Sequence, residues 1–253
     1  MKISAVIITF NEERNIDRCL RSLVTVADEI LVVDSFSTDQ TERICLSHGA
    51  RFIQNKFPGH IEQKNFAMEH AANDWVLSLD ADEALTEDLQ RSILSVKPDL
   101  GKHGGYKLKR LTSFCGKWVR HTGWYPDKKI RLWNREEGRW GGQNPHDKVI
   151  MNPGVSIGQL EGDLLHYSFY ELKDHIDTIQ KFSSIAAQSA YENGKRANLL
   201  TNVLLGPLYT FVKKYFFQLG FLDGYTGFII SMNSAFSKFL KYTKLREIQR
   251  RNG

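Results

Sequence analysis

Trp75-Val76-Leu77-Ser78-Leu79-Asp80-Ala81-Asp82-Glu83 is the stretch on which the fold turns. Residues of buried-strand character run straight into three acids, Asp80, Asp82 and Glu83. A short apolar run bounded by a polar turn reads as a strand of a parallel sheet covered on both faces. The turn then places the Asp80 and Asp82 carboxylates at the carboxyl edge of that sheet. Carboxylates this close repel each other unless a cation or a proton intervenes. A hard divalent cation with open positions for phosphate oxygens is a common solution. The functional reading is a Mg²⁺ or Mn²⁺ site that holds a diphosphate. The alternative is a solvated turn capping a helix that begins near Thr86. Asp-x-Asp alone does not decide between them; the flanking chain does.

Upstream, residues 3–10 form a β-rich run that reads as a central strand, with Asn11-Glu12-Glu13 at its end. Ile16, Cys19, Leu20, Leu23 and Val24 recur at helical spacing. Residues 29–33 form a second strand, ending at Asp34. Asp39-x-x-Glu42 resembles a capping pair and Gly49 stops the helix it opens. Arg51-Phe52-Ile53 is a third strand, and a helix over 60–72 leads into the strand that ends at Asp80. The alternation β-α-β-α-β-α-β predicts an α/β fold with a doubly wound, mostly parallel sheet and its active edge at the strand carboxyl ends.

Downstream, after a helix over 86–96, the pattern changes. Tyr106-Lys107-Leu108-Lys109 alternates like a strand, as does Lys129-Ile130-Arg131-Leu132-Trp133, within an aromatic and basic tract over 118–140. Residues 155–165 are another strand candidate, interrupted by Gly158 and Gly162. Ser168-x-x-Glu171 opens a long helix with Leu172, Ile176, Ile179, Phe182 and Ala186 on one face. Residues 199–246 combine a wide aromatic face with Lys213, Lys214, Lys238, Lys241, Lys244 and Arg246, broken into two helices at Gly206-Pro207 and Asp223-Gly224. A basic, aromatic amphipathic pair reads as a membrane-surface module; the other reading is a helical subdomain packed on a core. The expected division is 1–100 for the nucleotide-binding half, 101–198 for the acceptor-binding half and 199–253 for the C-terminal helices.

The chain has 253 residues and a net charge of +5. A chain this long buries about three quarters of its unfolded surface and needs no covalent staples. Cys19, Cys45 and Cys115 make neither a metal spacing nor a disulfide framework, so a reducing compartment is expected. No signal peptide is visible, and no run reaches the roughly 18 to 20 apolar residues of a spanning helix. The charge is modest and no recognition motif is present, so nucleic acid is not an expected partner.

Asn11-Glu12, Asp34, Asp80 and Asp82 all fall at strand carboxyl ends, which converge on one crevice in a doubly wound sheet. No G-x-G-x-x-G follows the first strand and no G-x-x-x-x-G-K-[ST] occurs anywhere, so phosphate must be held through a metal and basic side chains. Ile7-Ile8-Thr9-Phe10-Asn11-Glu12, Val32-Val33-Asp34-Ser35 and Leu79-Asp80-Ala81-Asp82-Glu83, in this order, resemble family 2 glycosyltransferases of the GT-A fold. The resemblance implies inverting transfer of a sugar from a nucleotide-diphosphate donor to an acceptor hydroxyl, with a divalent metal. Position by position, Thr9, Phe10, Asn11 and Glu12 resemble the first nucleotide-contacting loop, and Asp34 the acid near base and ribose. Lys64 matches a basic position beside the nucleotide or its diphosphate. Asp80 resembles the donor-side acid and Asp82 the metal ligand, and His166 is a candidate to complete the metal shell.

An inverting displacement also needs a base for the acceptor proton. The family often carries it in a Glu-Asp pair beyond Asp-x-Asp; here the matching stretch ends in His146-Asp147, with His in place of Glu. Asp147 is assigned as base and His146 as its neighbour. The segment from Trp124 to Arg131 resembles the acceptor side, and the resemblance implies aromatic rings that stack on sugars and an Arg131 that pairs with acceptor phosphate or diphosphate. Phe57-Pro58-Gly59, Gln63-Lys64-Asn65-Phe66-Ala67 and Gly220-Phe221-Leu222-Asp223-Gly224 further resemble bacterial enzymes that add a β-linked glucose to the lipopolysaccharide inner core. That subgroup implies a lipid-linked saccharide acceptor, and with it a cytoplasmic enzyme peripheral on the inner leaflet of the membrane. Two other readings compete. A nucleotidyltransferase making nucleotide sugars wants a Gly-rich basic loop after the first strand, unlike Phe10-Asn11-Glu12-Glu13. A non-catalytic membrane module does not account for Asp80, Asp82 and Asp147 together.

Overall fold

The structure, a computed structural model, describes residues 1–143 and 146–252, and for Gln143 and His146 the backbone only. Its contacts divide the chain into two compact units, Met1–Leu111 with Asp127–Tyr167, and Thr112–Pro126 with Ser168–Gly253.

The first unit is built on four parallel strands: β1 (Ile3–Thr9), β2 (Glu29–Asp34), β3 (Arg51–Gln54) and β4 (Trp75–Asp80), in the order β3-β2-β1-β4. Three helices alternate with them: α1 (Ile16–Leu23), α2 (Thr41–Ser47) and α3 (His60–Glu69). Both faces of β1 are covered, which is why it reads as an unbroken apolar run. Ile3, Ala5 and Ile7 pack with Leu20 and Leu23 of α1 on one side, and Val6 packs with Ala67 and Met68 of α3 on the other. Val24, expected on the apolar face of α1, is exposed, because the helix ends at Leu23. Helix α3 stops at Glu69, short of its expected end.

From residue 83 onward the sheet becomes antiparallel. The short β5 (Glu83–Leu85) leads into α4 (Glu87–Val96), whose Thr86 cap accepts from Leu89 N. Strands β6 (Gly105–Phe114), β8 (Asp127–Asn134) and β11 (Ile157–Phe169) extend the sheet in the order β4-β8-β6-β11-β5, and β7 (Lys117–Trp118) pairs with β6. A separate hairpin joins β9 (Gly138–Gln143) to β10 (His146–Met151). Strand β11 runs straight through its glycines. Gly162 has φ +87°, and a Cβ there would lie 2.3 Å from Leu89 N, so it serves a close approach of α4. The result is the expected α/β architecture: a mixed sheet with flanking helices, parallel where the nucleotide-side motifs lie.

The second unit is helical. Helix α5 (Leu172–Glu192) opens on a capping box of Glu171 and Asp174, three residues later than the expected Ser168 cap. Its buried stripe is His175, Ile179, Ser183, Ala187 and Ala190; of the expected face Ile179 is buried, Ile176, Phe182 and Ala186 are half-buried, and Leu172 is exposed. The small residues let α5 pack against α7 (Gly224–Arg251). Gly206-Pro207 does not break the chain: a π-helical turn over Leu199–Leu205 runs into α6 (Gly206–Val212). The break lies at Leu219, with φ 56°, and the 3₁₀ turn Gly220–Asp223. Gly227 meets the carbonyl oxygen of Gly220 so closely that a Cβ would lie 1.8 Å from it. Asp223 accepts from the His121 backbone N–H and from His121 Nδ1, both at 2.8 Å, which ties the 112–126 segment to the helices of this unit.

Candidate active site

The parallel register aligns the strand ends: Thr9 pairs with Asp34, and Ile8 with Asp80. Thr9, Asp34 and Asp80 therefore sit along one rim, as a sheet of this connectivity requires. Three clusters of side chains develop from that rim.

The first is a loop network. Asp34 is fully buried and accepts from the Ser37 backbone N–H and hydroxyl. Ser37 Oγ in turn accepts from Asn11 N at 2.8 Å, and Asn11 Oδ1 accepts from Thr38 N at 2.8 Å. Asn11 adopts φ 54°, a region asparagine tolerates better than most residues. Phe36 sits at φ 63° and is 53% exposed, a conformation a bulky side chain adopts only under constraint. With the exposed Phe10 it presents a second aromatic ring near this loop; the sequence reading did not single it out. Thr9 Oγ1 is buried with no partner among the described residues.

The second cluster surrounds Asp82. His166 Nε2 lies 3.2 Å from Asp82 Oδ2. Strand pairing brings the two together, because His166 is opposite Glu83 and Tyr167 N donates to Asp82 O. Glu12 is near by: burial, then the acids Asp82, Asp39 and Asp80, push its carboxyl up, against the Asn15 amide that donates to it. Arg18 donates to Asn15 Oδ1 at 2.6 Å and stacks 3.3 Å from the centroid of the Tyr167 ring.

The third cluster is the most tightly knit. Lys64 Nζ lies 2.9 Å from Asp80 Oδ1 and 2.8 Å from Asp147 Oδ2. Arg131 Nη2 lies 3.0 Å from Asp80 Oδ2 and 2.8 Å from Glu83 Oε1. Burial pushes the Asp80 carboxyl up, but the Lys64 ammonium and Arg131 guanidinium outweigh it and hold it well below the usual carboxylate range. Glu83 and Asp80 likewise outweigh burial and raise Arg131. Glu83 also accepts from Asp80 N at 3.0 Å. Lys64 and Arg131 lie beside the Trp140 ring, 4.4 and 5.4 Å from its centroid.

The two acids of Asp-x-Asp thus part company. Both Asp80 oxygens are taken by basic side chains, while Asp82 faces His166. Lys64, Asp80, Arg131 and Asp147 line one cavity of about 540 Å³. The side chain of His146 lies outside the described residues. Glu83, Trp140 and Arg110 were not assigned roles from sequence. The signal for Glu83 was its place beside the acid turn, but its partners Arg131 and Arg110 are remote in the chain.

A divalent cation fits the second cluster in its donor chemistry. Asp82 and His166 offer one carboxylate and one imidazole, and cations such as Mg²⁺ commonly take one or two carboxylates and complete their shell with water and substrate phosphates. Among the described residues no group of three or more His, Cys, Asp or Glu is arranged to hold a metal by itself.

The profile of Glycosyl transferase family 2 matches residues 4–147, and the chain belongs to this family. It is a glycosyltransferase that takes a nucleotide-sugar donor and a glycan acceptor. An uncharacterized glycosyltransferase of Rickettsia typhi is 34% identical over 98% of this chain and 87% of its own length. LpsC of Rhizobium meliloti, a lipopolysaccharide core biosynthesis glycosyltransferase, is 29% identical over 97% of this chain and 92% of its own. Among solved structures, S. aureus TarS 1–349 in complex with UDP-GlcNAc aligns over 99% of this chain and 92% of that one, at 14% identity and a TM-score of 0.49.

Proposed function

We propose that the chain is a metal-dependent, inverting glycosyltransferase that moves a hexose such as glucose from a nucleoside-diphosphate donor to a hydroxyl of a lipid-linked saccharide. The work would belong to lipopolysaccharide core or other cell-envelope glycan assembly, on the model of a β-1,4-glucosyltransferase. LpsC supports the pathway class, being related over nearly the whole chain. The single observation that carries the reaction is the shared cation: Lys64 joins Asp80 at the sheet edge to Asp147 on the hairpin, so both acids face one cavity.

In this reading the loop from Thr9 to Glu12 and the buried Asp34 shape the nucleotide side. Asp82 and His166 would hold the cation, whose charge would offset that of the departing diphosphate. Asp147 accepts the proton of the attacking hydroxyl. Lys64 keeps that carboxylate aimed into the cavity, and Asp80 with Arg131 fixes Lys64 in turn. For Asp147→Asn, transfer should fall by about 10² to 10⁴, while a nucleoside diphosphate with Mn²⁺ still raises the melting temperature. Undiminished transfer would remove Asp147 as base. The donor itself is identified by testing a set of nucleotide sugars for thermal stabilisation and slow hydrolysis, with and without Mn²⁺.

The helical unit supports a place at the inner leaflet of the cytoplasmic membrane. No helix among the described residues is long and apolar enough to cross a membrane. Leu205, Leu208, Tyr209, Phe217 and Tyr225 are nonetheless all more than half exposed, among lysines such as Lys213 and Lys238. An apolar surface edged with cations suits peripheral contact with anionic lipid.

A further inference from the structure

We propose that the Phe36 ring is the face on which the donor's nucleobase stacks, and that Asp34 serves the base only by fixing the turn that presents this ring. This presupposes a nucleotide-sugar donor.

Strain without burial is the first observation. Phe36 has φ 63° and is 53% exposed. The left-handed region disfavours any residue with a Cβ, and a bulky one most. An exposed ring recovers little of that penalty through packing, and strain kept at a strand end points to a use for the ring. The adjoining loop carries a second such ring, Phe10, which is 57% exposed. Two hydrogen bonds fasten the loops together: Ser35 N donates to Thr9 O at 2.9 Å, and Asn11 N donates to Ser37 Oγ at 2.8 Å. Phe10 lies between these bonds on one loop and Phe36 between them on the other, so the two unburied rings start from adjacent points of the rim.

The enclosure of Asp34 is the second observation. The family resemblance sets this acid beside the base and ribose, yet it has no exposed surface. One of its oxygens accepts from the Ser37 backbone N–H at 2.8 Å, and the other from the Ser37 hydroxyl. A carboxylate so enclosed has no face to offer a ligand. It holds Ser37, the residue after Phe36, and through Ser37 Oγ it also fixes Asn11. Asp34 is thus a positioning residue, and Phe36 is what it positions.

The polarity of the rim is the third observation. Along the order β3-β2-β1-β4, Phe57, Phe36 and Phe10 follow the ends of the first three strands, and Phe57 is 45% exposed. Strand β4 instead brings Asp80, with Lys64 against it, and leads to Asp82 and His166. A nucleoside diphosphate is divided in the same sense, with a flat heterocycle at one end and an anion at the other. A base above the ends of β1 and β2 directs its diphosphate toward β4. Stacking on an aromatic side chain suits any base, because each has a π face.

The test is calorimetric titration of the full chain, with Mg²⁺ present, using UDP, GDP, ADP and pyrophosphate; the last carries a diphosphate without a nucleoside. Phe36→Gly should bind the preferred nucleoside diphosphate about tenfold more weakly, and pyrophosphate as the wild type does. Phe36→Tyr should bind both like the wild type. Thermal unfolding of Phe36→Gly should show no loss of stability, since glycine accepts this φ. Ser37→Ala should weaken the nucleotide too, but add little in a chain that already carries Phe36→Gly. Wild-type nucleotide affinity in Phe36→Gly overturns the proposal, as does an equal loss for pyrophosphate. A Phe36→Gly chain that melts well below wild type also overturns it, because the ring then serves the fold. Fully additive losses for Ser37→Ala and Phe36→Gly overturn the positioning role. A wild type that binds none of the three nucleoside diphosphates overturns the donor assignment itself, whereas an unaltered Phe36→Gly overturns this proposal alone.

Discussion

Glu83 has a side chain with no exposure, and it is met by Arg131, whose side chain is 4% exposed. A charge held this deep is tolerable only beside its counter-charge. Glu83→Gln leaves Arg131 with Asp80 alone, and Asp80 is already shared with Lys64. Unfolding in denaturant should show a loss of about 3 kcal/mol; a loss within the error of wild type would mean that water reaches the guanidinium. At this scale the sequence was informative about identity and silent about pairing. Lys64, Asp80, Arg131 and Asp147 were all named from motif position, and the structure brings them within ion-pair distance. That Asp80 goes to the cations while Asp82 goes to His166 depends on the registers of β8 and β11 against their neighbours, which no local pattern encodes.

Helix α5 carries a pH-sensitive contact. Burial pushes His175 down from its usual 6.5 to about 4, and Asn233 Nδ2 donates to its Nδ1 at 2.9 Å, which requires a neutral ring. Because the folded pKa lies below the unfolded one, the unfolded chain takes up a proton first. Stability should therefore be unaffected above about pH 6.5, fall between there and about pH 4, and level off below. The fall approaches about 1.4 kcal/mol per pH unit, and His175→Gln should remove it from a plot of unfolding free energy against pH. A slope that survives the substitution would place the titrating group elsewhere. Where α7 crosses the Gly220 turn, Gly227→Ala should cost at least about 2 kcal/mol by thermal unfolding, since the added carbon meets a carbonyl oxygen. The four parallel strands were legible because each is a short apolar run followed by a helical period. The helical unit was less so: Ser168-x-x-Glu171 has the spacing of a capping box, but the box that forms pairs Glu171 with Asp174. Gly206-Pro207 looks like punctuation until the proline is seen in a first helical turn.

For the molecule as a whole, the net charge of +5 says little until the cations are located. Some line the cavity beside Asp147, and others edge the exposed aromatic surface of the helical unit. On the membrane reading, replacing Phe217, 78% exposed, and Tyr225, 79% exposed, with Glu should weaken sedimentation with anionic vesicles by at least about tenfold. Circular dichroism should stay unchanged, because neither ring is buried. Equal sedimentation of variant and wild type would show that the surface does not meet lipid.

Lys64 and Asp147 are 83 positions apart, and Asp80 and Arg131 are 51 apart. Contacts so distant along the chain form only after the intervening segments have found their places. During synthesis on a ribosome, the parallel strands can emerge and pair while the hairpin bearing Asp147 is still unmade. On the reading of Asp147 as base, a nascent chain acquires its chemistry late, and turnover itself becomes a gauge of whether that whole unit has finished folding.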